Sequence, residues 1–383
     1  MQSPTPLRAV SLILVALLAP AAAAAAVNAS VPAPSLDAKS YVLMDYQTGA
    51  VLAGKNADDK LEPASLTKIM TVYAAGHALA EGLIKQDDLV TVSEKAWRAE
   101  GSRMFIEVGK QVSVDQLLDG IIIQSGNDAS IALAEHISGT EGTFADVMMN
   151  HARKLGMKNS GFADATGLPD PGTFTTAHDM GLLSAALIRE FPELYARFAE
   201  HEFVFNGITQ HNRNRLLYRD ASVDGIKTGH TESAGYCLVT SASRDGMRLI
   251  ASVMGTASDT ARTEASAALL NYGYRFFETR QLYAAKATVA TPRVWRGASD
   301  QVATGPAAAV FVTVPRGRYD DLEAVAKVTE PVLAPLAVGQ VLGRIEVTLD
   351  GESIVAVPLT ALGEVAAGSF FSRTIDDLML LFE

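Results

Sequence analysis

The earliest regular pattern of apolar residues predicts a β-hairpin. Apolar side chains at 41–44 and 51–52 flank a Gln-Thr-Gly turn, and such alternation around a turn is typical of two antiparallel strands. Over 68–80 the apolar period changes to that of a helix. Pro63-Ala64-Ser65 precedes this segment, and proline and serine suit the first turn of a helix. The pattern therefore places Ser65 where a helix begins.

Helical patterns dominate the middle of the chain, and strand patterns return after about residue 225. The helical segments are 114–124, 128–137, 143–155 and 263–278, and the strand-like segments are 235–241 and 248–254. Strands at both ends of one region, with helices between them, predict a single sheet that brings the ends of the region together. We therefore expect an α+β domain here.

After about residue 282 the pattern changes to short alternating segments of Val, Ala and Thr, interrupted by Pro and Gly. The four clearest segments are 310–314, 324–328, 341–348 and 354–358. This pattern predicts a small all-β domain, a sandwich or a barrel, over residues 282–368. Acidic, basic and metal-ligating residues are not clustered in it, so we assign it no chemistry.

The last segment, 369–383, predicts an amphipathic helix. Its apolar residues share one helical face: Phe371, Ile375, Leu378, Met379 and Phe382. The segment is too short to cross a bilayer, so this face either lies in a membrane interface or docks on the protein or a second subunit. Three acids accompany a single arginine, Arg373, whereas basic residues normally line the polar face of interfacial helices.

Residues 1–26 predict a cleaved secretory signal peptide. One positive residue, Arg8, precedes an apolar run at 10–18, and the alanines at 21–26 offer several cleavage sites. An uncleaved membrane anchor is the alternative, and the small alanine residues argue against it. We therefore expect the protein to work outside the cytoplasm.

Composition and charge narrow the class of protein. The 383 residues are 48% hydrophobic and 20% charged, which suits a globular protein of about two domains. The formal net charge of −11 disfavours a nucleic-acid partner, and any anionic ligand must be held by local cations. Cys237 is the only cysteine, and no Cys/His cluster has metal-ligand spacing. We therefore expect a buried Cys237, no intrachain disulfide and no metal.

Ser65-Leu66-Thr67-Lys68 carries the first candidate chemistry. A serine hydroxyl becomes a good nucleophile only when a base takes its proton. Residues three apart share a helical face, so the Lys68 amine can reach the Ser65 hydroxyl. A lysine acts as a base only when neutral, and burial beside a second cation, for which Lys227 is a candidate, lowers its pKa. The motif alone is weak, because many such pairs lie on solvated helix faces.

Two further short motifs follow, Ser125-Gly126-Asn127 and Lys227-Thr228-Gly229. In the first, Gly and Asn between two helical runs predict a turn, from which Ser125 would relay a proton and Asn127 would bind substrate or Lys68. The second follows a tight-turn signal at 223–225, and its glycine lets a ligand backbone approach a strand edge. Each alone is typical of an ordinary connector or hairpin. In this order (65, then 125, then 227) the three motifs predict serine acyl transfer without histidine.

The flanks of the three motifs resemble those of a known family. The segments that carry the resemblance are 63–71, 124–129, 211–214, 223–231, 234–236 and 272–277. They are similar to the low-molecular-mass penicillin-binding proteins, the serine-type D-alanyl-D-alanine carboxypeptidases, over about residues 35–280. The resemblance implies an α+β fold for 27–281, the transpeptidase domain shared with β-lactamases, in which helices flank an antiparallel sheet. The β domain and the terminal helix match the family only in layout.

The resemblance also implies a reaction. The substrate is a peptidoglycan stem pentapeptide that ends in D-alanyl-D-alanine, and Ser65 is acylated by the penultimate residue. Lys68 is the base, and Ser125 and Asn127 complete the proton network. The substrate-binding residues are Arg213, Lys227, Thr228, Gly229 and His230. β-Lactams such as penicillin trap the same serine.

Further expectations follow from the family. The backbone N–H groups of Ser65 and His230 form the oxyanion hole, while the His230 imidazole is structural or a substrate contact. No cofactor is implied. We expect a periplasmic protein whose 369–383 helix makes peripheral contact with the inner membrane.

Three alternatives use much of the same chemistry. A class A β-lactamase needs a carboxylate that activates the deacylating water, and the corresponding stretch 159–168 contains Asp164 as its only acid, a poor substitute for glutamate. A D,D-endopeptidase would use the same residues in a more open groove, whose shape depends on the segment 92–109. A penicillin-binding scaffold would differ only in its slow turnover.

Overall fold

The structure is a computed structural model that describes residues 32–381. The predicted signal peptide at 1–26 lies outside the described residues, as do Phe382 and Glu383. Residues 32–276 fold into strands and helices in the following order: β1 (Ser40–Asp45), β2 (Val51–Lys55), α1 (Thr67–Ala80), β3 (Leu89–Thr91), α2 (Glu94–Trp97), β4 (Gln111–Ser113), α3 (Val114–Asp119), α4 (Asn127–Ser138), α5 (Glu141–Lys154), α6 (Ala177–Glu190), α7 (Pro192–Ala196), β5 (Glu202–Phe205), β6 (Ile208–His211), β7 (Val223–Thr231), β8 (Gly235–Arg244), β9 (Met247–Thr256) and α8 (Asp259–Phe276).

One antiparallel sheet, in the order β2-β1-β9-β8-β7, forms the centre of this region. β1 pairs with β9, with Val42 opposite Ser252, so the two ends of the region are neighbours, as predicted. Successive side chains of β1 point to opposite faces. Val42 joins the apolar cluster around α1, whereas Leu43 joins the cluster that contains Leu269 of α8. Helices therefore cover both faces, and the predicted α+β fold is confirmed.

α1 lies at the centre of the helical layer. Eleven of its fourteen residues are buried, and it contacts α4, α5 and α6. A helix that is buried on nearly all sides needs close neighbours, and glycine permits one of them: a Cβ on Gly76 would lie 2.9 Å from the Phe191 ring. This packing excludes water from Lys68, which is 0% exposed.

Two helices differ most from the predicted bounds. α3 ends at Asp119, and a π-helical turn, Gly120–Gln124, replaces the expected last turns. A Cβ on Gly120 would lie 2.3 Å from Met104 Sδ, so the glycine makes room for that side chain. α8 begins before the predicted 263, because the Ser258 hydroxyl caps it by accepting a hydrogen bond from the Ala261 N–H at 3.1 Å.

The expected turn at 223–225 was wrong. These residues lie inside β7, where the pairing with β8 shifts between Val223 and Gly225. A local irregularity within a strand uses the same residue types as a turn, which explains the error. β7 is nevertheless an edge strand, as the analysis of Lys227-Thr228-Gly229 expected.

The rest of the described chain is mainly β-structure. Its elements are β10 (Phe277–Tyr283), β11 (Val294–Trp295), β12 (Thr304–Gly305), β13 (Val310–Pro315), β14 (Glu323–Val328), β15 (Val332–Leu333), β16 (Val341–Leu349), β17 (Glu352–Ala361) and α9 (Phe370–Met379). The larger sheet has the order β12-β17-β16-β14, and β10 pairs with β13. The four predicted strand segments fall within β13, β14, β16 and β17, so the small all-β domain is confirmed.

Polar side chains connect the two parts of the chain. Thr279 Oγ1 donates to Asp45 Oδ2 at 2.7 Å, and the hydroxyl oxygens of Thr48 and Thr313 are 2.7 Å apart. Burial raises the pKa of the Asp45 carboxyl, because its charge is poorly solvated there. The boundary at 281/282 stays a prediction, and the pairing of β10 with β13 from Phe277 onward favours a boundary nearer 277.

α9 packs on the β domain through its acidic residues. The Arg296 backbone N–H donates to Asp376 Oδ2 at 2.6 Å, and the Arg296 guanidinium pairs with Asp377. The apolar face points outward, with Phe371 80% exposed and Leu378 60% exposed. Within residues 32–381, no helix combines the length and apolar character that crossing a membrane requires.

Candidate active site

Ser65 lies in a short 3-10 turn, Ala64–Leu66, directly before α1. The turn is tightly enclosed by two glycines. A Cβ on Gly167 would lie 1.9 Å from the Ala64 carbonyl oxygen, and a Cβ on Gly229 would lie 2.8 Å from the Pro63 carbonyl oxygen. The serine is therefore held between the 159–168 stretch and β7.

The Lys68 ammonium group makes three polar contacts. Its Nζ lies 3.1 Å from Ser65 Oγ, 2.6 Å from Asn127 Oδ1 and 2.7 Å from the Thr166 carbonyl oxygen. The first distance is within hydrogen-bond reach, so a proton can pass from Ser65 to Lys68 without rearrangement. The Asn127 and Thr166 oxygens fix the direction of the amine.

Burial lowers the pKa of Lys68 from its ordinary value of 10.5 to about 7. Neighbouring charges act in both directions, since Asp164 raises this pKa and Arg213 lowers it. The expectation that Lys227 would be the cation responsible is corrected, because burial is the main cause and Arg213 is the cation that adds to it. The charge of Lys68 acts on the pKa of Lys227 instead.

Ser125 follows the π-helical turn in a left-handed conformation, with φ of +67°. This conformation provides the predicted turn between two helices and directs the side chain inward. Ser125 Oγ is buried, and within residues 32–381 it has no hydrogen-bond partner. A buried hydroxyl without a partner is costly, which suits a group that takes part in a reaction.

Asn127 is held by the loop that precedes β4. Its Nδ2 donates to the Glu100 carbonyl at 2.6 Å, and its backbone N–H donates to the Ser102 carbonyl at 2.7 Å. Asp128 fixes the same loop, because its carboxylate accepts from the backbone N–H groups of Met104 and Phe105, both at 2.9 Å. The sequence analysis named this loop but missed Asp128. The feature that could have revealed this residue is its position directly after the Ser125-Gly126-Asn127 motif.

Lys227 and Thr228 lie on β7 and are both buried. Burial lowers the pKa of Lys227 well below its ordinary value, and the charges of Lys68, Arg213 and Arg262 lower it further. Several positive charges thus meet at one end of the cleft. A carboxylate placed there would relieve their mutual repulsion.

Arg262 belongs to this group of cations, and the sequence analysis missed it. It extends from α8, donates to the Gly229 carbonyl at 3.0 Å and the Cys237 carbonyl at 3.2 Å, and pairs with Asp259. The sequence feature that could have revealed Arg262 is an arginine on a helix face whose other residues are small or apolar. Cys237 itself is 0% exposed, as expected.

The cleft has a volume of about 280 Å³. Seven of the predicted site residues line it: Ser65, Ser125, Asn127, Arg213, Thr228, Gly229 and His230. Lys68 and Lys227 lie buried beside them. The exposed His230 ring contacts the Tyr236 ring in a tilted arrangement with centroids 3.9 Å apart, which suits a structural imidazole. The structure therefore brings together all nine residues predicted for the site.

Asp164 holds the 159–168 stretch in place. Its Oδ1 accepts from the backbone N–H groups of Thr166 and Gly167, each at 2.7 Å, and its Oδ2 accepts from Thr173 Oγ1 at 3.0 Å. These contacts aim the Thr166 carbonyl at Lys68. Both carboxylate oxygens of Asp164 are thus engaged in hydrogen bonds within the loop.

The arrangement places a serine hydroxyl beside an amine whose pKa is about 7, next to a cationic end that suits a carboxylate. Comparison with known proteins identifies the family. Residues 26–258 match the D-alanyl-D-alanine carboxypeptidase family, and residues 277–367 match the C-terminal domain of penicillin-binding protein 5. The chain belongs to the D-alanyl-D-alanine carboxypeptidase family. The predicted family is thereby confirmed.

Individual relatives and solved structures cover between 63% and 96% of this chain. The chain is 49% identical over 374 residues to the D-alanyl-D-alanine carboxypeptidase DacC of Escherichia coli, covering 96% of this chain and 93% of DacC. Penicillin-binding protein 5 of Haemophilus influenzae is similar in structure, with a TM-score of 0.85, 42% identity, and coverage of 88% of this chain and 99% of that one. Penicillin-binding protein D2 of Listeria monocytogenes, solved in its ampicillin-bound form, has a TM-score of 0.59 and 29% identity, and covers 63% of this chain and 100% of its own.

Proposed function

We propose that this protein is a serine-type D,D-carboxypeptidase that removes the terminal D-alanine from peptidoglycan stem pentapeptides. The observation that carries the proposal is the buried Lys68 amine, 3.1 Å from the Ser65 hydroxyl. With a pKa of about 7, much of this amine is neutral near neutral pH. A neutral amine at this distance can accept the serine proton during nucleophilic attack.

In the acylation step, Ser65 Oγ attacks the carbonyl carbon of the penultimate D-alanine. The hydroxyl proton passes to Lys68, and the backbone N–H groups of Ser65 and His230 stabilise the oxyanion. The peptide C–N bond then breaks, and the departing amine of the terminal D-alanine takes up the proton that Lys68 had accepted, which leaves Lys68 neutral again. Ser125 supports this transfer because its hydroxyl is buried beside Asn127 and has no other partner within residues 32–381.

The terminal carboxylate of the substrate lies at the cationic end of the cleft. Arg213 and Thr228 line that end, and the buried Lys227 directly precedes Thr228 on β7. Gly229 lets the substrate backbone approach the edge of β7, where an extended peptide can pair with the strand. This arrangement selects peptides with a free carboxyl terminus.

In the deacylation step, water attacks the Ser65 ester and Lys68 again serves as the base. Both carboxylate oxygens of Asp164 accept hydrogen bonds within the loop, so this carboxylate is poorly placed to activate the water. This favours Lys68 as the base of deacylation, and therefore a peptidase over a β-lactamase. A D,D-endopeptidase and a scaffold with slow turnover would use the same residues. The rate of D-alanine release from a pentapeptide, compared with the cleavage of a cross-linked dimer, distinguishes the three.

β-Lactams would acylate the same serine. The ampicillin-bound form of the Listeria monocytogenes relative supports this part of the proposal. A β-lactam presents a strained amide beside a carboxylate, and the cleft offers Ser65 and a cationic end to match. No cofactor takes part in the proposed reaction.

We also propose that the protein is periplasmic and touches the inner membrane through α9. The pattern of residues 1–26 supports export, and the exposed apolar face of α9 supports an interfacial position. Two of the three acids that counted against membrane contact are engaged: Asp376 accepts from the Arg296 backbone N–H, and Asp377 pairs with the Arg296 guanidinium. The helix therefore presents its apolar side away from the β domain.

The proposal is tested by the Ser65→Ala variant. Removing the nucleophile should lower the rate of D-alanine release from a D-alanyl-D-alanine pentapeptide by at least about a thousandfold and abolish labelling by fluorescent penicillin. Ser299→Ala, at an exposed position of the β domain, is the matched control and should retain both activities. D-Alanine release by Ser65→Ala at the control rate would show that the mechanism is wrong.

A further inference from the structure

A short segment, residues 195–200, connects the two walls of the catalytic cleft. We call it the bridging segment. It includes the 3-10 turn Arg197–Ala199, which contacts both β7 and the π-helical turn Gly120–Gln124. β7 bears the cationic end of the cleft, whereas the π-helical turn leads directly into Ser125. The relative position of these two walls therefore depends on the bridging segment.

On the β7 side, two hydrogen bonds anchor the bridging segment. The Tyr195 hydroxyl donates to Asp224 Oδ1 at 2.7 Å, and Asp224 lies near the start of β7. Asn212 Nδ2 donates to the Glu200 carbonyl at 3.0 Å, and Asn212 directly precedes Arg213 in the chain. The segment is thus attached both to β7 and to the chain that carries the arginine of the cationic end.

On the other side, the Arg197 side chain reaches α3. Its Nη1 donates to Asp119 Oδ1 at 2.9 Å and to the Asp115 carbonyl at 3.3 Å, and its Nη2 pairs with the Asp115 carboxylate. The side chain is only 18% exposed, so water screens these contacts less than those of a surface pair. One guanidinium therefore holds two acids of α3.

The two acids need this cation. Asp115 and Asp119 lie four residues apart on one helical face, where like charges repel each other. Burial raises the pKa of the Asp119 carboxyl to about 6, whereas the charge of Arg197 lowers it. Without the arginine, the end of α3 would have to shift to bring the Asp119 carboxylate into water.

The end of α3 fixes the backbone of Ser125. Asp119 is the last residue of α3, and Gly120 begins the π-helical turn. The Gly120 carbonyl accepts hydrogen bonds from the backbone N–H groups of Ser125 and Gly126, the latter at 2.9 Å. These bonds hold Ser125 in its left-handed conformation. A shift at the end of α3 therefore moves the Ser125 hydroxyl.

We propose that Arg197 is a positioning residue for the proton relay: it holds the end of α3, and with it Ser125, in place relative to β7. The inference rests on the proposed function, in which Ser125 gives its proton to the departing amine and takes up the proton that Lys68 accepted. A proton donor must lie within hydrogen-bond reach of the atom that it protonates. Arg197 does not line the cleft, and it acts through Asp115 and Asp119.

The test compares an amide substrate with an ester substrate. Acyl-D-alanyl-D-alanine releases an amine, whose nitrogen must be protonated as the C–N bond breaks. Acyl-D-alanyl-D-lactate releases an oxygen, which leaves with less help from a proton donor. In Arg197→Met, the ratio of kcat/KM for the amide to kcat/KM for the ester should fall about tenfold, because the donor is displaced. A ratio equal to that of the wild-type protein would overturn the proposal.

Two further variants separate positioning from stability. Arg197→Lys keeps a positive charge beside the two acids and should recover most of the ratio. Arg244→Met removes an arginine that pairs with Asp220 at 2.6 Å, is 31% exposed and does not line the cleft. It should lower the free energy of unfolding, measured in urea, and leave the ratio unchanged. The same fall in ratio in Arg244→Met as in Arg197→Met would show that lost stability explains the effect.

Asp119→Ala tests the contact from its other end, and it serves as the main test if Arg197→Met does not fold. It should also lower the ratio, and the double variant should lower it no further than Arg197→Met alone, since both changes break one interaction. Independent effects that multiply in the double variant would contradict the proposal. Failure of the proposed function is a separate result. If the wild-type protein released neither D-alanine nor D-lactate, the carboxypeptidase activity itself would be wrong.

Discussion

At the scale of single residues, burial gives Lys68 the lowered pKa that its proposed role as the base requires. The neutral form is favoured because water cannot solvate the charge, and the pKa falls to about 7. The unfolded chain binds this proton more tightly than the folded protein does. Between about pH 7 and the ordinary value of 10.5, the unfolded chain holds a proton on Lys68 that the folded protein has released. The free energy of unfolding therefore rises with pH over this range.

The same pKa sets the pH dependence of acylation. Because Lys68 must be neutral to accept a proton, the second-order rate constant for penicillin acylation should rise through a midpoint near pH 7. Stopped-flow measurement of acylation between pH 5 and 9 checks this midpoint, and a rate that is independent of pH from 5 to 8 would exclude Lys68 as the base.

At the scale of elements, the backbone decides where the side chains of the site meet. The motif residues could be predicted because their chemistry depends on residue type and on spacing along the chain. The Thr166 carbonyl and the Glu100 carbonyl could not, because any residue type provides a carbonyl and only the folded loops bring it to Lys68 or Asn127. Arg262 was missed for a similar reason, since its partners lie on β7 and β8, far from it in sequence.

The pattern of apolar residues predicted the sheet, the β domain and α9, because each has a clear period. The pattern was less reliable where the same residues are compatible with two backbone conformations. The turn signal at 223–225 lies within a strand, and the helical period of 114–124 continues through a π-helical turn. In both places tertiary packing, not local preference, determines the backbone conformation.

Substitution of Gly167 tests whether the loop at 159–168 positions Ser65. Its φ is +79°, and a Cβ there would meet the Ala64 carbonyl oxygen at 1.9 Å. Gly167→Ala should therefore lower the free energy of unfolding by about 3 kcal/mol and slow acylation of Ser65, because the loop must move away from the serine. Urea unfolding and penicillin labelling measure the two effects.

Gly139→Ala is the matched control for Gly167→Ala. Gly139 has nearly the same φ, +76°, but a Cβ there would meet nothing within 4 Å. It should lose only about 1 kcal/mol of stability and keep the wild-type acylation rate. Equal acylation rates in the two variants would contradict the proposed role of the loop.

At the scale of the whole molecule, the β domain positions α9 relative to the catalytic cleft. Hydrogen bonds between Asp45, Thr48, Thr279 and Thr313 join the two parts, and α9 rests on the β domain through Asp376 and Asp377. The apolar face of α9 is left exposed, as the proposed membrane contact requires. The enzyme would then work at a distance from the bilayer that the β domain determines.

Leu378→Asp tests this membrane contact. It places a charge on the apolar face of α9 and should lower the bound fraction on vesicles of phosphatidylethanolamine and phosphatidylglycerol, with an affinity loss of roughly tenfold or more. Leu83→Asp makes the same change at a leucine that is 68% exposed on the catalytic domain, and should bind as wild type does. Equal sedimentation of the two variants with vesicles would show that α9 is not the anchor.

The central claim is that one acyl-enzyme centre, Ser65 with Lys68, performs the peptidase reaction. The most direct measurement titrates the protein with penicillin from zero to two equivalents, follows D-alanine release from the pentapeptide, and maps the adduct by mass spectrometry. The account predicts that release falls in proportion to the penicillin bound, reaches zero at one equivalent, and that the adduct lies on Ser65. Full labelling of Ser65 with continued D-alanine release, or an adduct on another residue, would contradict it.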